Sequence, residues 1–270
     1  MIPADQPALL TSNKSYRYGD GLFETIKVIR GRILLQALHL ERLFSSMALL
    51  ELRLPPLVTA TVLKDMILEL CQKNNCMESA RVRLSVYNGN GGLFEENHHA
   101  GYCIECWPLD QINNRLNENG LVTGIFPEGR KSCDRFSGLK SASYQLYALA
   151  ARYARKQQLN DCFVVNTREN IADSAIANLF LVKEGTLITP PLSEGGVDGV
   201  MRRYLLQQLP AAGITVLEKP VSPGELQEAD EVFLTNAIKG IRWVRQHGNT
   251  VFTCAKTVEI YDRFVKTLFD

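Results

Sequence analysis

Apolar and polar positions alternate or recur along this chain in runs that predict short strands and amphipathic helices. Phe23 to Val28 has strand composition, Arg30-Gly31 is a turn signal, and Arg32 to Leu35 reads as the return strand of a hairpin. From Leu40, apolar residues fall at 43, 44, 47 and 50, one face of a helix from which Arg42 projects away. Thr59 to Lys73 predicts a second helix ending at Asn74-Asn75. Arg81 to Tyr87 alternates as a half-buried strand that Asn88 to Gly92 breaks with a flexible loop, and Tyr102 to Trp107 is a further strand. The polar stretch from Asp110 to Gly120 has the character of a connector between two halves.

The second half opens with an apolar strand over Leu121 to Phe126 and a polar, glycine-containing loop. A helix is predicted over Ser141 to Gln157, with Lys140 at its start and positions 144, 147 and 151 on the lysine's face. Strands follow at Cys162–Asn166, Asn178–Val182 and Leu187–Thr189. Then come a helix over Arg202–Leu209, a strand near Thr215, a turn at Ser222-Pro223-Gly224, a strand over Glu231–Thr235 and a last helix over Ala255–Leu268.

Composition narrows the class. With 270 residues, 46% hydrophobic and 22% charged, the chain is long enough for two ordinary domains. The formal net charge is +1 with both signs interspersed, so no basic stripe marks a nucleic-acid surface and an anionic ligand needs local groups. No apolar run approaches the roughly 20 residues of a membrane span, and the first residues lack a signal-peptide pattern, which points to the cytoplasm. Seven cysteines at low density predict free thiols in a reducing compartment. Cys103 and Cys106 form a C-x-x-C that with Cys71 and Cys76 offers four thiolates. Its strand composition favours free thiols over a metal or redox centre, so no metal is expected.

Several residues are candidates for chemistry. Lys140, flanked by Leu139 and opening an Ala/Tyr-rich segment, is placed to hold an aldehyde cofactor, since a buried ammonium is costly unless its pKa falls or it becomes an imine. Gly195-Gly196-Val197-Asp198-Gly199 feeds a helix, where N–H groups and the helix dipole suit an anion or simply begin an ordinary helix. Arg42 is either a phosphate ligand or a surface arginine. Asp173 either neutralises a protonated ring nitrogen or caps a turn. Thr235-Asn236-Ala237 ends an apolar strand with a hydroxyl, an amide and N–H groups, where ligand sites of α/β folds commonly lie.

In order along the chain, Tyr18-Gly19-Asp20-Gly21-Leu22-Phe23-Glu24-Thr25, His39-Leu40-Glu41-Arg42-Leu43, Gly138-Leu139-Lys140, Asp173 through Asn178-Leu179-Phe180, Thr189-Pro190, Gly199-Val200-Met201-Arg202 and Asp230 to Thr235 resemble the fold-type IV family of pyridoxal-phosphate enzymes, which includes class IV aminotransferases and aminodeoxychorismate lyases. The likeness implies a mixed α/β, two-domain fold of the D-amino-acid aminotransferase type. Its small N-terminal α/β domain would span residues 1–107, a connector 108–119, and a larger domain with the lysine 120–270. It implies pyridoxal 5′-phosphate as cofactor, held as an imine by Lys140. Arg42, the backbone of Val200 and Met201, and Asn236-Ala237 would bind the phosphate. Asp173, standing where the family has glutamate, would face the pyridine nitrogen, and Tyr144 the 3-hydroxyl. Phe23, Tyr87, Leu93 and Asn236 would line the substrate.

Within the family, Gly196 to Arg202 and Thr235-Asn236-Ala237 are most similar to aminodeoxychorismate lyases, although Leu93 stands where those enzymes carry an arginine after Gly-Gly. That likeness implies conversion of 4-amino-4-deoxychorismate to 4-aminobenzoate and pyruvate. The same residues also suit an aminotransferase of branched-chain or D-amino acids, and a non-catalytic cofactor-binding relative is the third alternative. A small-molecule amino substrate and a homodimer complete the implied picture.

Overall fold

The computed structural model describes residues 1–3 and 5–270. The chain divides into two compact units, one of residues 1–111 with Lys140–Tyr144, the other of residues 112–139 and 145–270. The lysine segment thus clusters with the first unit, although its place in the sequence is in the second half.

The first unit contains α1 (Lys14–Tyr18), β1 (Gly21–Ile29), β2 (Arg32–Ile33), α2 (Gln36–Leu49), α3 (Ala60–Lys73), β3 (Ser79–Tyr87) and β4 (Gly101–Pro108). The strands form an antiparallel sheet in the order β2-β1-β3-β4. Arg30 and Gly31 both have positive φ, as a two-residue type I′ hairpin requires. The return strand is two residues long, shorter than the Arg32–Leu35 expectation, because Leu35 turns left-handed at the start of α2. A brief β2 leaves the Gly21–Phe23 edge of β1 open. Lys140–Ala142 takes it: Phe23 N–H donates to Lys140 O at 2.9 Å, Ala142 N–H to Gly21 O at 2.8 Å, and Leu22 bridges Ser141. The predicted helix start at Ser141 is therefore wrong, since this pairing holds the segment extended.

The second unit holds β5 (Leu121–Ile125), α4 (Gln145–Lys156), β6 (Asp161–Val165), β7 (Ile171–Ser174), β8 (Asn178–Lys183), β9 (Thr186–Thr189), α5 (Val200–Ala211), β10 (Val216–Glu218), α6 (Pro223–Gln227), β11 (Glu231–Asn236), β12 (Gly240–His247), β13 (Thr250–Val251), α7 (Ala255–Ile260) and α8 (Lys266–Phe269). A mixed sheet runs β10-β9-β8-β11-β12-β5-β6-β7, with β13 beside β12. Its core gathers Phe163, Leu179, Leu181, Val232, Leu234 and Val244. β7 and β12 are absent from the sequence expectations: β7 is only four residues, and β12 carries arginines that mask its alternation. Ser222-Pro223-Gly224 starts α6 rather than forming a bare turn, because Ser222 and Glu225 close a capping box. Among the described residues no helix is long and apolar enough to cross a membrane.

Candidate active site

In the first unit, Lys140 is surrounded by aromatic rings. Its Nζ lies 4.6 Å from the centroid of Phe23 and 5.6 Å from that of Tyr144, and the two rings meet edge to face at 5.4 Å. The extended pairing of Lys140–Ala142 with β1 produces this arrangement, not the helical i+4 spacing. Arg83 on β3 joins the same cluster, its guanidinium 3.8 Å from the Phe23 centroid and its Nε donating to Ser85 Oγ at 3.1 Å. Burial lowers the pKa of this half-buried arginine.

A buried charge network lies beside it in sequence. Arg42 is buried rather than projecting from α2 into solvent, and donates from Nε to Glu24 Oε1 at 2.8 Å and from Nη2 to Oε2 at 2.5 Å. His39, one turn earlier on α2, places Nδ1 2.7 Å from Glu24 Oε2. Burial raises the Glu24 pKa, but Arg42 and His39 outweigh it and hold the carboxyl at about 2. Burial also lowers the His39 pKa against the pull of Glu24, so the ring is neutral and Nδ1–H is the donor.

In the second unit, Asp173 is buried on β7 and does not cap a turn. Its Oδ2 accepts from Tyr147 Oη and from the Val197 N–H, each at 2.9 Å. Tyr147 therefore serves Asp173, and Lys131 Nζ lies 5.2 Å from its ring centroid. Burial lowers the Lys131 pKa, with Asp173 and Asp134 opposing. Gly196 permits the close approach: a Cβ there would stand 2.5 Å from Ala172 O.

Gly199 is the N-cap of α5 and offers no side-chain cap, so the first-turn N–H groups of Val200 and Met201 have no acceptor within the helix. Asn178 braces the approach to that turn by donating Nδ2 to Val197 O at 2.7 Å. On β11, Thr235 pairs with Asn178, and its buried hydroxyl has no hydrogen-bond partner among the described residues. The Asn236 side chain is engaged in its own turn, with Oδ1 accepting from Ile238 N–H at 3.1 Å and Lys239 N–H at 2.8 Å; Ala237 lies within that turn.

The first unit thus brings together Phe23, Lys140 and Tyr144, with Arg42 in the Glu24 network. The second holds Asp173, the Val200–Met201 turn and Asn236-Ala237. Tyr87 is half-buried at the end of β3, its ring packed over Gly101, where an added Cβ would come within 2.2 Å of Cε2. Leu93 is 63% and Phe94 97% exposed in the loop after β3. Arg83, Glu24 and Tyr147 are the residues whose part sequence reasoning missed. A glutamate beside Phe23 in the strand-forming run, with His39 and Arg42 spaced one turn apart on the following helix, was the available signal for Glu24; the other two depend on cross-strand and long-range contacts.

Residues 21–247 match the model of the family described as amino-transferase class IV. The chain is 29% identical over 223 residues to a provisionally assigned branched-chain-amino-acid aminotransferase of Methanocaldococcus jannaschii, covering 81% of this chain and 75% of that protein. It is 28% identical over 240 residues to the aminodeoxychorismate lyase of Vibrio harveyi, covering 85% and 83%. The branched-chain aminotransferase of Thermoproteus uzoniensis, crystallised with norvaline, shares the fold at a TM-score of 0.87 and 24% identity, covering 99% and 92%.

Proposed function

Because this chain belongs to the class IV aminotransferase family, whose enzymes depend on pyridoxal 5′-phosphate, we propose that it is a lyase converting 4-amino-4-deoxychorismate to 4-aminobenzoate and pyruvate. The observation that carries this reading is Arg83, a half-buried guanidinium on the same ring as Lys140. It offers a planar pair of donors to a substrate carboxylate and so takes over the work of the arginine that Leu93 replaces. The Gly199-Val200-Met201-Arg202 and Thr235-Asn236-Ala237 runs and the likeness to the Vibrio lyase support it.

The residues present fit the cofactor. An uncapped helix start and the buried, unbonded Thr235 hydroxyl in the second unit are suited to phosphate oxygens, and a lysine flanked by rings is suited to being a desolvated amine. When bound, pyridoxal phosphate supplies a carbonyl carbon for amines and a ring that accepts the electron pair released at the reacting carbon. Lys140 Nζ would be the group that holds the cofactor, and its free amine would take a proton and return one. By the family's pattern, Arg42, aimed by Glu24, would neutralise phosphate charge, and the Val200 and Met201 N–H groups and the Asn236-Ala237 turn would donate to phosphate oxygens. Asp173, oriented by Tyr147, would be the carboxylate that faces the ring nitrogen and favours its protonated form. By the same pattern, Tyr144 would serve the 3-hydroxyl, and Phe23, Tyr87, Leu93 and Asn236 would be the substrate-binding residues.

The active species is a homodimer, for which the exposed Leu93 and Phe94 supply apolar surface; sedimentation at twice the chain mass checks this. All seven cysteines are free, the state that a reducing cytoplasm maintains.

Purified holoenzyme given 4-amino-4-deoxychorismate without a keto acid should release 4-aminobenzoate and pyruvate. Arg83→Ala should raise KM about tenfold or more, the value of a lost charged hydrogen bond, while Leu93→Arg should change it little. A second reading, an aminotransferase of branched-chain or D-amino acids, is favoured by the Methanocaldococcus relative. Transamination of such amino acids with no 4-aminobenzoate formed would replace the first reading by the second.

A further inference from the structure

Three thiols outside this chemistry meet within the first unit. Cys71 stands on the last turn of α3, Cys76 follows the left-handed Asn75, and Cys106 stands on β4. Their sulfur atoms all lie within 4.8 Å of one another, and Cys76 Sγ is 3.8 Å from Cys106 Sγ. Cys103 is not of the group: three places from Cys106 on the same strand, it leaves the opposite face. Ile26, Val28, Ile67 and Val82 pack around the thiols. Cys71 and Cys76 are buried, whereas half-buried Cys106 provides a side open to solvent.

We propose that Cys71, Cys76 and Cys106 form a binding site for a trivalent, three-coordinate metalloid delivered as its hydroxide, with arsenous acid as the representative. Three convergent sulfur donors select a soft acceptor, and charge decides among the soft acceptors. Three thiolates on copper(I) make a doubly negative centre, and on zinc a singly negative one that also needs a fourth ligand. Either charge would sit among aliphatic side chains, where an uncompensated charge is expensive. Arsenous acid avoids it. Three S–H and three As–O bonds break, three As–S bonds form, each thiol proton leaves with a hydroxide as water, and arsenic stays trivalent, so the adduct is neutral. Burial supports this choice, since it pushes the Cys71 thiol up to about 12 and Cys106 to about 11, keeping both in the protonated form that the exchange consumes.

The test adds one equivalent of sodium arsenite to the reduced holoenzyme. Native mass spectrometry should show one arsenic per chain, and X-ray absorption at the arsenic edge should show three sulfur ligands. Cys71→Ser, Cys76→Ser and Cys106→Ser should each lower affinity about tenfold or more, and Cys103→Ser should leave it unchanged. The ligand count is read on the unaltered chain, so it stands even where a variant fails to fold. No arsenic bound, an arsenic with two sulfurs and an oxygen, undiminished affinity in Cys106→Ser, or displacement of arsenite by equimolar zinc or copper(I) would each overturn the assignment.

Discussion

Arg42 and Glu24 show how much a single buried charge depends on its partner. The guanidinium donates two hydrogen bonds to one carboxylate, and Arg42→Ala leaves that carboxylate buried without its main counter-charge. Such truncations cost about 3–5 kcal/mol, so urea unfolding of the cofactor-free variant should show a loss of that size. Replacing both residues by apolar ones of similar volume should recover much of it, while cofactor affinity stays low in both variants. Asp173 is a separate case, because both groups bonded to Oδ2 are donors. Asp173→Asn keeps one acceptor oxygen but loses the charge, so bound cofactor should largely persist while turnover falls about 100-fold or more, on the scale of a lost preorganised electrostatic partner. Equal turnover in rapid-quench assays would reduce Asp173 to a structural role. Lys140 is the residue to which the sequence points most directly as the cofactor lysine, and borohydride reduction of the holoenzyme should leave the cofactor's label on it and on no other lysine.

Elements show where periodicity misled. The apolar spacing over Ser141–Gln157 is helical, yet α4 begins at Gln145 because the open edge of β1 captures Lys140–Ala142 first. A strand edge left free by a two-residue partner strand is not visible in local periodicity. Conversely, the glycine run before α5 was legible, and the structure gives its reason. A Cβ on Gly199 would stand 1.8 Å from Asn178 Oδ1, so Gly199→Ala must displace the Asn178 side chain from Val197 O. The expected result is a stability loss of about 1 kcal/mol, the value of one hydrogen bond, with weakened cofactor binding. Both are measurable by thermal unfolding with and without pyridoxal phosphate. An unchanged cofactor affinity would place the phosphate away from this turn.

For the whole molecule, buried titratable groups set the pH range of stability. Glu24 and His39 both have folded-state pKa values below their ordinary ones, so the unfolded chain binds more protons and stability falls as pH falls. The His39 contribution declines below its ordinary 6.5, and that of Glu24 between 4.5 and about 2. Asp161, raised by burial, acts in the opposite direction in acid. Urea midpoints should therefore drop on going from pH 7 to pH 5, and His39→Asn should flatten that limb; a midpoint unchanged over the range would mean that His39 is protonated in the folded chain.

Composition, the ordered motifs and the runs around Lys140, Asp173 and Gly199 were enough to determine the family, the cofactor and most element positions, because those depend on local residue types and on spacing. Tertiary structure alone decided that Lys140 belongs to the first unit, that Arg83 shares its ring, that Tyr147 orients Asp173, and that Cys71 and Cys76 meet Cys106 instead of Cys103. Each of these follows from strand edges, facing and register between segments distant along the chain, and a one-residue shift in pairing reverses the face a side chain takes.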